Sequence, residues 1–307
     1  MSPRRPTFGS GATRAYRPLF TVLTLIRTYA SFIRFSHSVF ALPFALVGAL
    51  LAALEHRITW GRIGWIIAAM VTARSAAMSF NRIVDAHFDA LNPRTAMREL
   101  PAGRLSRAQA IAFCVATSVA FMACTYPLGW TCFLLSPVAL AIVFWYSLAK
   151  RVTTYTQLFL GLAMAVAPVG GWLAAGGDGF ALTPILLAIA IGTWVGGFDV
   201  LYACQDLEFD RAHGLRSIPV RFGIKHSLLI SRLLHVMTVA ALAALGIVRP
   251  LGPIYFAGVV GVALLLVYEQ SLVRPDDLSK VKQAFDLNGY VGFLYLITTG
   301  AAVYFGS

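Results

Sequence analysis

Long runs of apolar residues, each separated from the next by a short polar stretch, cover most of the chain. A helix needs about 20 mostly apolar residues to span a bilayer, and most of these runs approach or reach that length. The pattern predicts about nine transmembrane helices, at residues 38–55, 62–83, 107–125, 129–148, 155–175, 182–204, 227–247, 251–272 and 286–305. The two helices that flank Pro127 and Gly129 could instead form one broken helix.

The composition agrees with this reading and excludes a water-soluble globule. Hydrophobic residues make up 58% of the chain and charged residues only 12%, with a mean hydropathy of +0.74, whereas soluble domains are about a quarter charged. The net charge is +12. A nucleic-acid-binding protein could be this basic but not this apolar, so we expect no nucleic-acid partner. The predicted fold class is an all-α integral membrane protein.

The basic residues are distributed unevenly between the two sides of the predicted membrane domain. Of the 25 Lys and Arg, 20 lie on the side of the N-terminus, three lie on the opposite side, and two lie within helices. Positive charge marks the cytoplasmic side of a multi-pass protein. We therefore expect a cytoplasmic N-terminus, with the membrane being a bacterial inner membrane. Eleven of the 13 acidic residues share that side.

The chain divides into a basic N-terminal segment over 1–36 and a transmembrane domain over 37–307. Leu19, Phe20, Leu23 and Ile26 share a helical face, so the first segment is predicted to contain a helix that lies in the membrane interface.

Two acidic clusters follow the second and sixth predicted helices and have the same spacing. Asn81, Asp85 and Asp89 form the first cluster. At an offset of 121 positions the second cluster has Tyr202, Asp206 and Asp210, preceded by Asp199. The shared spacing indicates a parallel internal repeat, an arrangement known among membrane proteins.

Helical spacing places each cluster in a single stripe, because residues three and four apart lie on the same face. Two carboxylate stripes that face each other would repel unless cations lay between them. Oxygen ligands of this kind suit Mg²⁺. The alternative is that each cluster is only a solvated helix end, capped by acids and arginines.

Several cations accompany the acidic clusters. Arg94, Lys150 and Arg151 lie in the adjoining segments, where they could bind the oxygens of a metal-bound diphosphate. Arg74 is two turns before Asn81, about 10 Å deeper in the membrane. An arginine at that depth needs an anionic or carbonyl partner. That partner could be Asp85 or a substrate carboxylate, and we favour the substrate.

These residues resemble the signatures of the UbiA superfamily of intramembrane aromatic prenyltransferases. The first signature, N-[DR]-xx-D-xxx-D, is matched from Asn81 to Asp89, and the second, D-xx-Y-xxx-D-xxx-D, from Asp199 to Asp210. Asn92-Pro-Arg-Thr makes the chain most similar to the 4-hydroxybenzoate polyprenyltransferase group. Two positions depart from the common pattern: Arg82 replaces an Asp of many members, and Glu99 replaces a Pro.

The resemblance implies nine helices around a central cavity that opens to lipid. It also implies transfer of a polyprenyl group from polyprenyl diphosphate to an aromatic carboxylic acid, in the biosynthesis of a quinone. Mg²⁺ is expected on Asn81, Asp85, Asp89, Asp206 and Asp210. Arg94, Lys150 and Arg151 are expected to bind the diphosphate.

The acceptor is expected deeper in the cavity. Asp199 would orient or deprotonate its hydroxyl, and with Asp85 and Asp206 it completes the expected catalytic set. Arg74 and Arg34 would hold the carboxylate of the ring. Tyr146 and Tyr202 would stabilise the allylic cation through their ring faces.

Two alternatives remain open at this point. The same chemistry could act on 1,4-dihydroxy-6-naphthoate, for menaquinone, instead of 4-hydroxybenzoate. A protein of another class, an ion-coupled secondary transporter, also has parallel repeats and intramembrane acids. Its coupling sites lie near the membrane midplane, however, whereas these acids lie at one membrane face.

Overall fold

The structure is a computed structural model that describes residues 27–33 and 42–305. Arg34 and the predicted interfacial face from Leu19 to Ile26 lie outside the described residues. The helices are α1 (Leu42–Ala52), α2 (Trp60–Leu91), α3 (Arg107–Thr125), α4 (Trp130–Val152), α5 (Thr156–Ala174), α6 (Leu182–Ala203), α7 (Leu207–Ala212), α8 (Ile218–Val248), α9 (Gly252–Ser271) and α10 (Val281–Phe305). Within the described residues no strand is present, so the all-α fold class is confirmed.

Nine of these helices follow the predicted ones in order, and α7 is an additional short helix. The segment around Pro127 is a 3₁₀ turn, Tyr126–Leu128, which separates α3 from α4 as two helices. One boundary was predicted wrongly, because the second helix continues to Leu91 rather than ending near 83. Helix α8 has a short first part from Ile218 that was not predicted, and a kink at Gly223 (φ 74°) separates it from the long part, which contains the predicted 227–247.

Local sequence explains where these helices begin and end. The side chain of Thr59 caps α2 by accepting a hydrogen bond from the backbone N–H of Arg62, at 3.2 Å. The same helix ends before Pro93, since proline cannot donate to the preceding turn. Ser217 caps α8 in the same way as Thr59 caps α2. Pro219 lies in the first turn of α8, where proline is tolerated.

Among residues 27–33 and 42–305, seven helical segments are long and apolar enough to cross a membrane. They are α2, α3, α4, α5, α6 with α7, α8 and α9. Two further helices that follow predicted spans do not meet this criterion. Helix α1 has only 11 residues, and α10 is long enough but carries more polar side chains. Large apolar side chains such as Val236, Leu264 and Ile297 are each 65% exposed on the outer surface. Such a surface suits hydrocarbon rather than water, and the chain is a multi-pass integral membrane protein.

The long helices alternate in direction, which gives the bundle two ends. We call the end that contains Leu91 and Ala203 the acidic end, and the end that contains Trp60 and Ala174 the basal end. Helix α5 packs between α1 and α6. A side chain at Gly171 would overlap the backbone of α1, and one at Gly161 would overlap that of α6. These glycines let the three backbones touch, while α2, α3 and α4 pack together beside them.

Candidate active site

The first acidic cluster lies on the last turns of α2. This helix is unbroken to Leu91, so Asn81, Asp85 and Asp89 share one face. Asp85 and Asp89 are only 5% and 7% exposed. The amide of Asn81 donates to Oδ2 of Asp85 across 3.4 Å. Buried carboxylates require compensating charge, and the neighbouring elements supply it.

Two cations at the end of α4 neutralise Asp85. Nζ of Lys150 lies 2.8 Å from Oδ2 of Asp85, and Nη2 of Arg151 lies 3.0 Å from Oδ1. Both cations also lie over the ring of Phe88, at 5.9 and 5.4 Å from its centroid. The end of α4 is therefore fixed to the acidic face of α2.

Asp89 is paired by guanidinium groups. Nη1 of Arg98 donates to Oδ1 of Asp89 at 2.7 Å, and Nη1 of Arg82 lies 4.0 Å from Oδ2. Oδ2 itself is buried and accepts no hydrogen bond from the described residues. This leaves one carboxylate oxygen with capacity for another ligand.

The two departures from the family pattern both contact the short segment 27–33. Nε of Arg82 donates to the carbonyl of Phe32 at 3.3 Å. The hydroxyl of Ser31 donates to Oε1 of Glu99 at 2.6 Å. In this chain the substituted residues therefore hold the segment against the acidic end.

The second acidic cluster is not a single helical stripe, which corrects the expectation from spacing. Helix α6 ends at Ala203, and a 3₁₀ turn, Cys204–Asp206, precedes α7. Only Asp199 and Tyr202 therefore share a continuous α-helix. The tighter 3₁₀ turn changes the direction of the residues after it, so Asp206 and Asp210 are placed by this break rather than by α-helical periodicity.

Arg94, in the loop that follows the first cluster, binds two residues of the second cluster. Its Nη2 lies 2.8 and 2.7 Å from the two carboxylate oxygens of Asp206, and its Nη1 donates to the hydroxyl of Tyr202 at 2.7 Å. The loop that follows the first acidic segment therefore contacts the second acidic segment, 112 positions further along the chain.

A cavity of about 600 Å³ begins between these segments. Its volume is within the range of about 300–1,000 Å³ that is typical of ligand pockets. Arg74, Asn81, Arg98, Tyr146, Asp199 and Tyr202 line it toward the acidic end. The rest of the wall is almost entirely apolar and comes mainly from α2, α4, α5 and α6. A ligand with a polar head and a long apolar tail matches this division.

Aromatic side chains stand where the polar and apolar parts of the cavity meet. The ring of Tyr202 lies 4.7 Å from that of Phe285, which lies 5.5 Å from that of Phe198. All three line the cavity. On the facing wall, Tyr146 is within electrostatic range of both Asp85 and Asp199. Such a wall could stabilise a cation that forms next to it.

The structure places Arg74, Asn81, Tyr146, Asp199 and Tyr202 in the cavity wall, Asp85, Asp89, Asp206, Arg94, Lys150 and Arg151 in ion pairs, and Asp210 on α7, whereas Arg34 lies outside the described residues. Among the residues in 27–33 and 42–305, no three His, Cys, Asp or Glu side chains converge in a way that could hold a metal ion. Each acid of the first cluster is paired with cations instead. Sequence reasoning missed Phe88 and Phe285, which carry no signal beyond being aromatic residues on apolar helices.

Comparison with known proteins agrees with this geometry. The sequence model of the UbiA prenyltransferase family matches residues 41–297. A 4-hydroxybenzoate octaprenyltransferase of Vibrio parahaemolyticus is 31% identical over 254 residues, which cover 82% of this chain and 88% of the relative. The protein of the same name from Cronobacter sakazakii is also 31% identical, over 76% of this chain and 81% of its own length.

Solved structures share the fold. A UbiA homolog from Aeropyrum pernix superposes with a TM-score of 0.79 and 37% identity, over 87% of this chain and 97% of its own. A UbiA homolog from Archaeoglobus fulgidus, bound to GPP and Mg²⁺, superposes with a TM-score of 0.68 over 90% of this chain and 99% of its own. At 19% identity, the second likeness concerns the fold alone.

Proposed function

The chain belongs to the UbiA prenyltransferase family, and we propose that it transfers a polyprenyl group from polyprenyl diphosphate to a ring carbon of 4-hydroxybenzoate or a similar aromatic acid. It is a prenyltransferase like the 4-hydroxybenzoate polyprenyltransferases, to which it is about 30% identical over most of its length. One observation carries the proposal. Arg94, in the loop after the first acidic segment, binds Asp206 of the second, and Asn81 and Asp199 of these segments line the polar end of a long apolar cavity.

Mg²⁺ fits the donor set at this place. The candidate ligands are Asn81, Asp85, Asp89, Asp206 and Asp210, which offer only oxygen donors apart from the amide nitrogen of Asn81. Oxygen ligands are what Mg²⁺ requires, and the open Oδ2 of Asp89 is one such atom. A fold neighbour was solved with GPP and Mg²⁺. When bound, the ion would neutralise charge that develops on the departing diphosphate.

Arg94, Lys150 and Arg151 would bind the diphosphate from the side of the loops. At present each is paired with a carboxylate, and the guanidinium of Arg94 is half exposed. A cation that pairs with Asp in the free enzyme can turn to phosphate oxygens when the substrate arrives, because both are anionic oxygen acceptors. Loss of the diphosphate leaves an allylic cation against the rings of Tyr202 and Tyr146.

The acceptor would lie below the diphosphate, with its carboxylate at Arg74. This arrangement directs the carbon next to the ring hydroxyl toward the cation, and Asp199 would orient or deprotonate that hydroxyl. A carbon–carbon bond forms, the carbon–oxygen bond to diphosphate breaks, and the ring loses one proton. Arg34 is proposed as a second ligand of the acceptor carboxylate.

The cellular setting follows from the charge distribution. The acidic end carries most of the basic residues, so we place it on the cytoplasmic side of a bacterial inner membrane. The first isoprene units of the substrate would lie in the cavity, and units beyond its length would continue into lipid. The quinone pathway would be that of ubiquinone for 4-hydroxybenzoate, or that of menaquinone for 1,4-dihydroxy-6-naphthoate.

A competition assay tests the proposal. Detergent-purified protein is incubated with geranyl diphosphate, both acceptors and Mg²⁺, with no ion gradient, and products are identified by mass spectrometry. We expect prenylated 4-hydroxybenzoate as the main product and its loss when EDTA is added. Prenylated naphthoate alone would assign the alternative acceptor, and absence of any prenylated aromatic acid would refute the proposed reaction.

A further inference from the structure

At the basal end of the cavity, the side chain of Arg62 binds the backbone of two residues that line it. Arg62 is in the first turn of α2. Its Nη2 donates to the carbonyl of Leu128 at 2.9 Å, and its Nε donates to the carbonyl of Ala174. Leu128 ends the turn after α3, and Ala174 is the last residue of α5. One guanidinium therefore joins three elements that are distant in sequence.

Physical chemistry explains why an arginine suits this place. The last carbonyls of a helix lack partners within the helix and carry partial negative charge. A guanidinium has several N–H groups in fixed directions, so it can satisfy two such carbonyls at once. Leu128 and Ala174 are 4% and 2% exposed, and both line the cavity. The residues that Arg62 holds are thus part of the cavity floor.

The floor lies at a definite distance from the polar end. The cavity residues on α2 extend from Arg82 to Ile66, which corresponds to about 24 Å at 1.5 Å per residue. An isoprene unit contributes four carbon–carbon bonds of about 1.5 Å and so advances by roughly 5 Å. A geranyl tail of two units would end in the upper half of the cavity. A tail of four units would approach the floor.

We propose that Arg62 is a positioning residue that keeps the basal end of the cavity closed and thereby determines how tightly the enzyme binds prenyl tails long enough to reach it. This inference rests on the proposed function, because that function supplies the prenyl tail. Without the guanidinium, the freed carbonyls of Leu128 and Ala174 would bind water. The end of a long prenyl tail would then contact this water at the basal end of the cavity, whereas a short tail would not reach it.

Cys132 provides a reporter for the state of the floor. It lies in the first turn of α4, lines the cavity, is partly buried and is within electrostatic range of Arg62. A protein that retains this cysteine but carries Cys114→Ala, Cys124→Ala and Cys204→Ala can be labelled with a charged maleimide. In Mg²⁺ buffer, geranylgeranyl diphosphate should slow labelling at least about five-fold and geranyl diphosphate less than about two-fold. Equal protection by both would overturn the proposal.

Variants of Arg62 then test the side chain itself. Arg62→Ala should raise the labelling rate of Cys132 about ten-fold, because loss of the two hydrogen bonds opens the floor locally. Arg62→Lys keeps the positive charge but lacks the planar guanidinium that binds both carbonyls. It should therefore give a smaller increase in the labelling rate of Cys132. The matched control is Arg57→Ala, an exposed arginine at the same end, which should leave the rate unchanged. An unchanged rate in folded Arg62→Ala would overturn the proposal.

The kinetic consequence is selective for chain length. Arg62→Ala should raise the KM for geranylgeranyl diphosphate about ten-fold and leave that for geranyl diphosphate unchanged. Equal changes for both substrates would contradict a role at the floor. If Arg62→Ala does not fold, as judged by circular dichroism and gel filtration, the same comparison is made with Arg62→Lys.

The labelling measurements separate this inference from the proposed reaction. They require neither an acceptor nor turnover. A protein that prenylates no aromatic acid but shows Arg62-dependent labelling refutes only the reaction. A protein that prenylates the acid, with labelling indifferent to Arg62, refutes only the role of Arg62.

Discussion

The two acidic segments contribute similar residues but are built differently. The first is an unbroken helix in which the Asp85 side chain is only 7% exposed and pairs with two cations of α4. The second follows a break after α6. There the Asp206 side chain is 24% exposed and is held by Arg94, which is itself 42% exposed and comes from a loop.

The difference indicates a division of labour between a fixed and an adjustable half of the site. Charges that are buried and multiply paired resist rearrangement, since separating them leaves charge unpaired in an apolar surrounding. A half-exposed pair contributes little to stability and can exchange partners at low cost. We expect the first segment to support both structure and chemistry, and the second to support chemistry alone.

The largest effect is expected when one carboxylate is removed from either acidic segment. Asp85→Ala and Asp206→Ala should each lower kcat by about a thousand-fold, as loss of preorganised charge does in other active sites. Their effects on the free energy of unfolding should differ: a loss of about 3 kcal/mol for Asp85→Ala, where two cations lose their partner, and less than about 1 kcal/mol for Asp206→Ala. Thermal unfolding in detergent, beside the assay, measures both.

The control for this comparison is Glu208→Ala. Glu208 lies on α7 between Asp206 and Asp210, and its side chain is 85% exposed. Its replacement should change neither activity nor stability. Equal destabilisation by the Asp85 and Asp206 variants would remove the distinction between the two halves, and full activity in either would remove that residue from the site.

A second, smaller effect concerns the acceptor. Arg74→Ala should raise the KM for the aromatic acid about a hundred-fold and that for prenyl diphosphate less than about three-fold, because a buried charged hydrogen bond to the carboxylate is lost. Steady-state kinetics with each substrate varied in turn measures the split. Equal rises in KM for both substrates would assign Arg74 a purely structural role. The role of α2 would then be limited to binding the diphosphate.

The smallest effect is expected from a change at Arg94, in the adjustable half of the site. Arg94→Lys keeps the positive charge but removes the forked contact to Asp206 and Tyr202. We expect a rise of about ten-fold in the KM for prenyl diphosphate, with stability within about 0.5 kcal/mol of the unchanged protein. A large loss of stability would show that Arg94 is a structural tie rather than an exchangeable ligand.

Sequence reasoning predicted the first half better than the second for a physical reason. The stripe from Asn81 to Asp89 needs only a continuous helix, and nothing before Pro93 interrupts it. The break at Cys204 contains no glycine or proline that would mark it in the sequence. The short first part of α8 was missed because it is not an apolar run, and Gly223, with a φ of 74°, separates it from the long apolar part that was predicted.

The basal end shows a further limit of sequence patterns. Arg62 could be assigned to one side of the membrane but not to the floor of a cavity. Its partners are the backbone carbonyls of Leu128 and Ala174, and any residue type carries a carbonyl. Contacts of this kind leave no trace in the spacing of residue types, whereas paired carboxylates do.

The central claim is that both acidic segments hold one diphosphate. The most direct test measures the affinity for geranyl diphosphate in Mg²⁺ buffer by titration calorimetry. Four proteins are compared: the wild type, Asp85→Ala, Asp206→Ala and the double variant. We predict that each single change lowers affinity about a hundred-fold and that the double variant is little weaker than either, since both residues act on the same ligand. Strictly additive losses, or unchanged affinity in Asp206→Ala, would contradict the claim.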